Sequence, residues 1–252
     1  MKNIRIGSYH WMQATNGQLS FKEKIKLIQK IMLPSIKASI KINYFRLKTS
    51  DDFDMDQIVI PDTQMVKVAL DELEAKANIS IYNHSWRTYF WGAALGNIQK
   101  QQFDHESLLI ASLFHDIGLT EQHIHSKGCN CFTYESAKQF ELKAKEHSFD
   151  EKKSEVIRDA ICLHMNGYID YSDPAEITLL QQGASCDVIS DGLYRLPLSF
   201  RNEILEKYPR KQFNKEFIEL MALERKSVPN SRTALLSELG LPLMIKSNLY
   251  EE

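Results

Sequence analysis

Apolar positions recur along most of this chain at three- and four-residue spacing, and that spacing predicts helices. One helix lies near residues 20–40, inside an otherwise irregular N-terminal segment. Another begins around Asp62 and Thr63 and runs through "QMVKVALDELEAKA". A third covers "NHSWRTYFWGAALGNIQKQ", with Asn83 or Ser85 near its start. The run "HESLLIASLFHDIGL" predicts a helix ended by Gly118, with His115 and Asp116 in its middle. Leu108, Leu109, Ile110, Leu113, Phe114 and Ile117 cover most of its circumference, so it should be central and buried nearly all round. Helices follow over "FTYESAKQFELKAKEH" and "SFDEKKSEVIRDAICLHM", the second opening with Ser148 and Glu151 in capping-box spacing. "DPAEITLLQQGASCDVIS" starts with Asp173 as expected cap and Pro174 at the first helical position. A last helix covers roughly 212–226, and the tail "KSVPNSRTALLSELGLPLMIKS" is expected to lie across the body. Strand signals are rare, which makes the expected fold class all-α. No linker divides the chain. Residues 1–56 read as an N-terminal extension packed on the same domain as residues 57–252.

Composition narrows the function classes. A formal net charge of -2 leaves no electrostatic footprint for nucleic acid. No run approaches the ~18 apolar residues of a membrane span, and the N-terminus lacks the apolar segment of a signal peptide. Cys129, Cys131, Cys162 and Cys186 make no disulfide framework, which points to a reduced, cytoplasmic protein. The expected partner is a small-molecule substrate, without nucleic acid or membrane; a homo-oligomer stays open.

Several polar residues sit where periodicity expects core. Besides His115 and Asp116, His164 continues the stripe of Ile157 and Ile161, and Asp187 shares a stripe with Ile177, Leu180 and Ala184. His84 stands at the start of the aromatic-rich helix. A lone buried histidine is more often a hydrogen-bonded core residue than a ligand, and a lone inward aspartate more often caps a helix or pairs with an arginine. Imidazoles and carboxylates projecting inward from separate helices are a different matter, because bundle metal sites are built that way. The donor set suits zinc, iron or manganese without choosing among them.

These residues, in the order His84, His115-Asp116, Asp187, resemble the HD superfamily of metal-dependent hydrolases. "IVIPDT", "NHSWRTYFWG", "FHDIGLT", "AICLHMNG", "LLQQGASCDVI" and "YPRKQF" together are similar to its cyanamide hydratase-like branch, from about residue 57 to "KSVPNSRT". The resemblance implies an all-helical HD-domain bundle with one buried divalent metal, zinc first, held by His84, His115, Asp116 and Asp187. It places His164 beside the open coordination position. The chain departs from the branch after the HD pair: Cys131, Phe132 and Thr133 stand where a basic residue, Phe and Glu are expected, and Glu135 is a candidate to take over the polar role.

Two chemistries follow from such a site. A metal with an open position lowers the pKa of bound water, which suits hydration of a small nitrile-like substrate, cyanamide to urea in the named example. His164 is the candidate proton shuttle, Asp116 or Asp187 the ligand that orients the water, and Arg87 and Glu135 the substrate-binding candidates. The alternative is a phosphohydrolase or phosphodiesterase, which needs cationic groups around the pocket; Arg87, Arg158 and Arg195 are available. A non-enzymatic interaction protein with a decayed site would not need every ligand position intact. "HIHSKGCNC" brings His123, His125, Cys129 and Cys131 close together, at spacing tighter than structural zinc sites use, and reads as a loop or lid.

Overall fold

The computed structural model describes residues 4–42, 53–120 and 130–250. Most of the chain is helical, and no strand occurs among the described residues, so the fold is all-α. In chain order the helices are α1 (Tyr9–Thr15), α2 (Phe21–Ile42), α3 (Gln64–Lys76), α4 (Ile79–Ile98), α5 (His105–Phe114), α6 (Phe132–Glu146), α7 (Glu151–Leu163), α8 (Ala175–Ile189), α9 (Leu198–Lys207), α10 (Phe213–Ser227), α11 (Arg232–Glu238) and α12 (Leu241–Lys246). Short 3-10 turns cover Met55–Gln57, Ile117–Leu119, His164–Asn166 and Leu193–Arg195. Among the described residues, no helix is long and apolar enough to cross a membrane.

Helices α4, α5 and α8 form the centre. From His105 to Phe114, every residue after the first two is buried, as the all-round apolar pattern of α5 requires. Helix α4 is buried from Ser80 to Gly96 except at Tyr82, and its tightest partner is α8. Two glycines permit that approach. A Cβ on Gly183 would lie 2.2 Å from the Thr88 carbonyl oxygen, and one on Gly92 would lie 2.7 Å from that of Leu179. The backbones touch where any side chain would hold them apart.

Helix ends show where local chemistry overrides periodicity. Thr63 caps α3 as expected, accepting from Val66 N–H at 3.3 Å. Helix α4 starts earlier than Asn83 or Ser85: Asn78 accepts from Ile81 N–H at 3.0 Å and supplies the cap. Asp150 caps α7 through Lys153 N–H, while Ser148, with φ 51°, lies in the preceding turn outside any capping box. Helix α8 begins at Ala175 with Pro174 in the cap position, one residue later than expected, and Asp173 pairs with Arg5 instead. The helices α1, α9, α11 and α12 are short, six to ten residues, and carry too few turns for periodicity to resolve.

The N-terminal segment docks on α6 and α7. Tyr9 N–H donates to Asp159 at 2.7 Å, and its hydroxyl donates to Glu141 at 2.7 Å. The tail is drawn into the body by Arg232, which is 1% exposed.

Candidate metal centre

The His115–Asp116 pair does not lie in mid-helix. Helix α5 ends at Phe114; His115 keeps helical angles and Asp116 turns into the bridge region (φ -112°, ψ 5°). The cause is a side chain. His115 Nδ1 donates to the Ser112 carbonyl at 2.7 Å, satisfying one of the carbonyls a helix end leaves unpaired. His164 repeats the device at the end of α7, donating from Nδ1 to the Ile161 carbonyl at 2.7 Å. Gly118 then lets this turn press on the start of α6, where a Cβ would lie 2.2 Å from the Phe132 carbonyl oxygen. His84 comes from the second turn of α4, and its Nδ1 donates to Asp187 Oδ2 at 2.7 Å.

All three imidazoles therefore have Nδ1 committed to an acceptor and Nε2 left over. Three atoms converge. His84 Nε2 lies 3.1 Å from His115 Nε2 and 3.3 Å from Asp116 Oδ2, and His115 Nε2 lies 3.4 Å from the same oxygen. An ion with bonds of about 2.0–2.1 Å would space tetrahedral ligands roughly 3.3–3.4 Å apart. His84 and His115 are 0% exposed and Asp116 is 1% exposed. Among the described residues neither Asp116 oxygen has a hydrogen-bond partner, a costly state for a buried carboxylate and one that a cation would relieve. His84, His115 and Asp116 are thus a group that could hold a divalent metal, and the residues present fit it. Their chemistry does not specify zinc over its neighbours.

His164 stands at the edge of this group, its Nε2 3.6 Å from Asp116 Oδ1. The structure does not bring Asp187 among the converging ligands. Its carboxylate lies behind His84, held by Arg87 (Nε to Oδ1 2.7 Å, Nη2 to Oδ2 2.8 Å), Trp91 (3.0 Å) and Arg210 (3.3 Å). Arg87, expected at the substrate, is fully buried; one turn beyond His84 on α4 it faces α8, and it also donates to the Tyr208 and Pro209 carbonyls. Glu135, in the first turn of α6, takes hydrogen bonds from Asn130 and Lys138 and makes none to the cluster. His123, His125 and Cys129 lie outside the described residues.

Electrostatics follow the geometry. Burial alone would raise the pKa of Asp116, but the three imidazoles hold it below the ordinary carboxylate range. Burial would likewise raise Asp187, and Arg87 and Arg210 overcome it, leaving it well below its usual value. Burial pulls His84 down, yet Asp116 and Asp187 on either side carry it above its ordinary value. Burial pushes His115 down. His164 is pushed down to about 3, first by burial and then by His115, so it is neutral at physiological pH.

Sequence reasoning missed several supporting residues. Phe213 stacks on His84 with ring centroids 4.4 Å apart. Arg232 spans the turn that carries His164, donating to the Cys162 carbonyl (2.6 Å), Asn166 Oδ1 (2.5 Å) and Thr133 Oγ1 (2.8 Å). Thr133 is the residue that stands where glutamate was expected. Arg210 and Arg232 belong to the segments "YPRKQF" and "KSVPNSRT", so the signal was in view, but spacing alone could not bring either residue to the site.

No curated protein matches the chain. The family described as HD domain matches residues 81–224, more than half of the chain and a span that includes His84, His115, Asp116, His164 and Asp187. With the all-helical fold and the buried His-His-Asp group, this match identifies the chain as a member of the HD domain family, within a superfamily of metal-dependent hydrolases and phosphohydrolases.

Proposed function

We propose that this protein hydrates a small, uncharged electrophile of the nitrile type, as a cyanamide hydratase does, with a divalent ion held by His84, His115 and Asp116. A divalent ion with an open position supplies water of lowered pKa near neutral pH. In hydration of cyanamide the water oxygen bonds to the nitrile carbon as the first C–N π bond breaks; tautomerisation then exchanges the second C–N π bond for C=O, and both water protons finish on nitrogen, giving urea. His164, neutral and with its Nε2 3.6 Å from Asp116 Oδ1, is the imidazole beside the site placed to accept a proton. His164 suits this because its Nδ1 is tied to Ile161, which leaves Nε2 as its exchanging atom.

The observation that favours an uncharged substrate is the commitment of the arginines at Arg87, Arg158, Arg195 and Arg210. Arg87 and Arg210 are spent on Asp187, Arg158 on Glu141 and Glu151, and Arg195 on Gln182 and the Gly192 carbonyl. A phosphate ester would need such groups turned toward it. The test is elemental analysis of purified protein supplied with zinc or manganese, followed by urea release from cyanamide. One metal per chain with urea formed is expected. One metal with no urea, but phosphate released from a phosphomonoester, would overturn the substrate class in favour of phosphohydrolysis.

A further inference from the structure

The near-neutral total charge of the chain hides one strongly basic element. The 22 residues of α2 carry six lysines against one glutamate, in a protein whose net charge is -2. That glutamate, Glu23, is taken up locally: it accepts from Trp11 Nε1 at 2.7 Å and from the Ser20 hydroxyl at 2.7 Å. At about 100° per residue, the stretch from Phe21 to Met32 has three faces. Leu27 and Ile31 meet the core. Phe21, Ile25 and Met32 fall within about 40° of one another, and they stay 77%, 42% and 49% exposed. Lys22, Lys26 and Lys30 make the third face and are all exposed.

Single exposed hydrophobic residues are ordinary on a protein surface. Three in line beside a lysine face are the pattern of a helix that lies in the plane of a bilayer surface. We propose that α2 docks the protein on an anionic lipid surface, with Phe21, Ile25 and Met32 entering the headgroup boundary and Lys22 and Lys26 meeting the negative headgroups. Lysine suits that task, because its ammonium is a point charge on a flexible apolar stem and needs no fixed partner in a fluid layer. Lys30 also donates to the Tyr168 hydroxyl at 3.2 Å, so Lys22 and Lys26 carry most of the attraction. A nucleic acid would meet the lysines and leave the apolar line in water. A second copy would set its own lysine face beside the first, which like charge disfavours. Leu27, 1% exposed, fixes the other side of α2 to the body, so the docking face is presented without any unfolding.

The test is co-sedimentation of the full chain with vesicles of equimolar phosphatidylcholine and phosphatidylserine, against vesicles of phosphatidylcholine alone. Binding to the first, weakened by salt, with little binding to the second, is expected. Lys22→Gln together with Lys26→Gln should weaken partitioning by roughly 30-fold, the equivalent of about 1 kcal/mol per lysine. Phe21→Ser together with Ile25→Ser should weaken it by at least ~10-fold through lost apolar burial. These side chains are exposed, so both variants should keep the circular dichroism of the parent. No binding to the phosphatidylserine vesicles would overturn the proposal. Equal binding to both vesicles, or binding that neither variant weakens, would overturn it too. Two results without vesicle binding would replace the partner: a single-stranded RNA shift lost in the lysine variant alone, or a dimer in light scattering lost in the serine variant alone.

Discussion

Replacing Gly183 by alanine sets two effects of opposite sign against each other. Alanine is the better helix former by roughly 1 kcal/mol, and Gly183 lies inside α8. Against this, the new Cβ would sit 2.2 Å from the Thr88 carbonyl oxygen and 3.0 Å from the Gly92 nitrogen, both backbone atoms that cannot rotate away. Restoring an ordinary contact of about 3.4 Å requires α8 to withdraw from α4 by ~1 Å. Asp187, one turn further along α8, is 2.7 Å from both His84 and Arg87. The same withdrawal stretches those contacts past the useful hydrogen-bond range. Overpacking costs about 1–3 kcal/mol and weakening the buried pair costs more, so the clash wins by roughly 2–4 kcal/mol. At ~2–4 °C per kcal/mol for a chain of this size, the thermal midpoint should fall by roughly 4–16 °C. Differential scanning calorimetry measures it, and chelator competition on the same samples should show weaker ion binding. A Gly183→Ala protein as stable as the parent, with unchanged ion affinity, would refute the claim that bare backbone contact between α4 and α8 positions Asp187.

Other consequences concern the cluster and its supports. His115→Ala should abolish stoichiometric ion binding, read by elemental analysis, while the helical dichroism persists; full metal content would remove His115 from the ligand set. Without an ion, the raised pKa of His84 means its proton adds stability below about pH 6.5, its unfolded value, and that stability is lost as pH rises through the folded value. Arg232→Met should destabilise by about 3–5 kcal/mol in urea, because it orphans the Cys162 carbonyl, Asn166 and Thr133. A loss under about 1 kcal/mol would mean water replaces the guanidinium.

Much of the fold was legible because its central helices are apolar on most faces, and no other element type tolerates such patterns at that length. The inward placement of His115, Asp116, His164 and Asp187 followed from the stripes they share with Leu, Ile and Ala. What spacing could not show was how a side chain ends a helix. Periodicity runs on through His115 and His164, whereas the structure stops each helix there because an imidazole takes the carbonyl three residues back. Spacing also could not show that Asp187 would lie against His84 and Arg87, since an inward stripe does not name the partner. Arg87 read as a candidate for substrate because it lies one turn from His84; that turn aims it into α8. The short C-terminal helices carry too few turns to announce themselves, although one of them supplies Arg232.

Arg232 also bears on the order of events during synthesis. The carbonyl of Cys162 precedes it by 70 residues. At ~5–20 residues per second, a ribosome needs roughly 4–14 s to travel from one to the other. Through that interval the turn that carries His164 exists without the guanidinium that ties it to α6 and to the Asn166 side chain. The metal-facing residues are all made before this tie arrives. A nascent chain stalled short of position 232 would therefore hold the whole donor set without the guanidinium that ties its turn to α6.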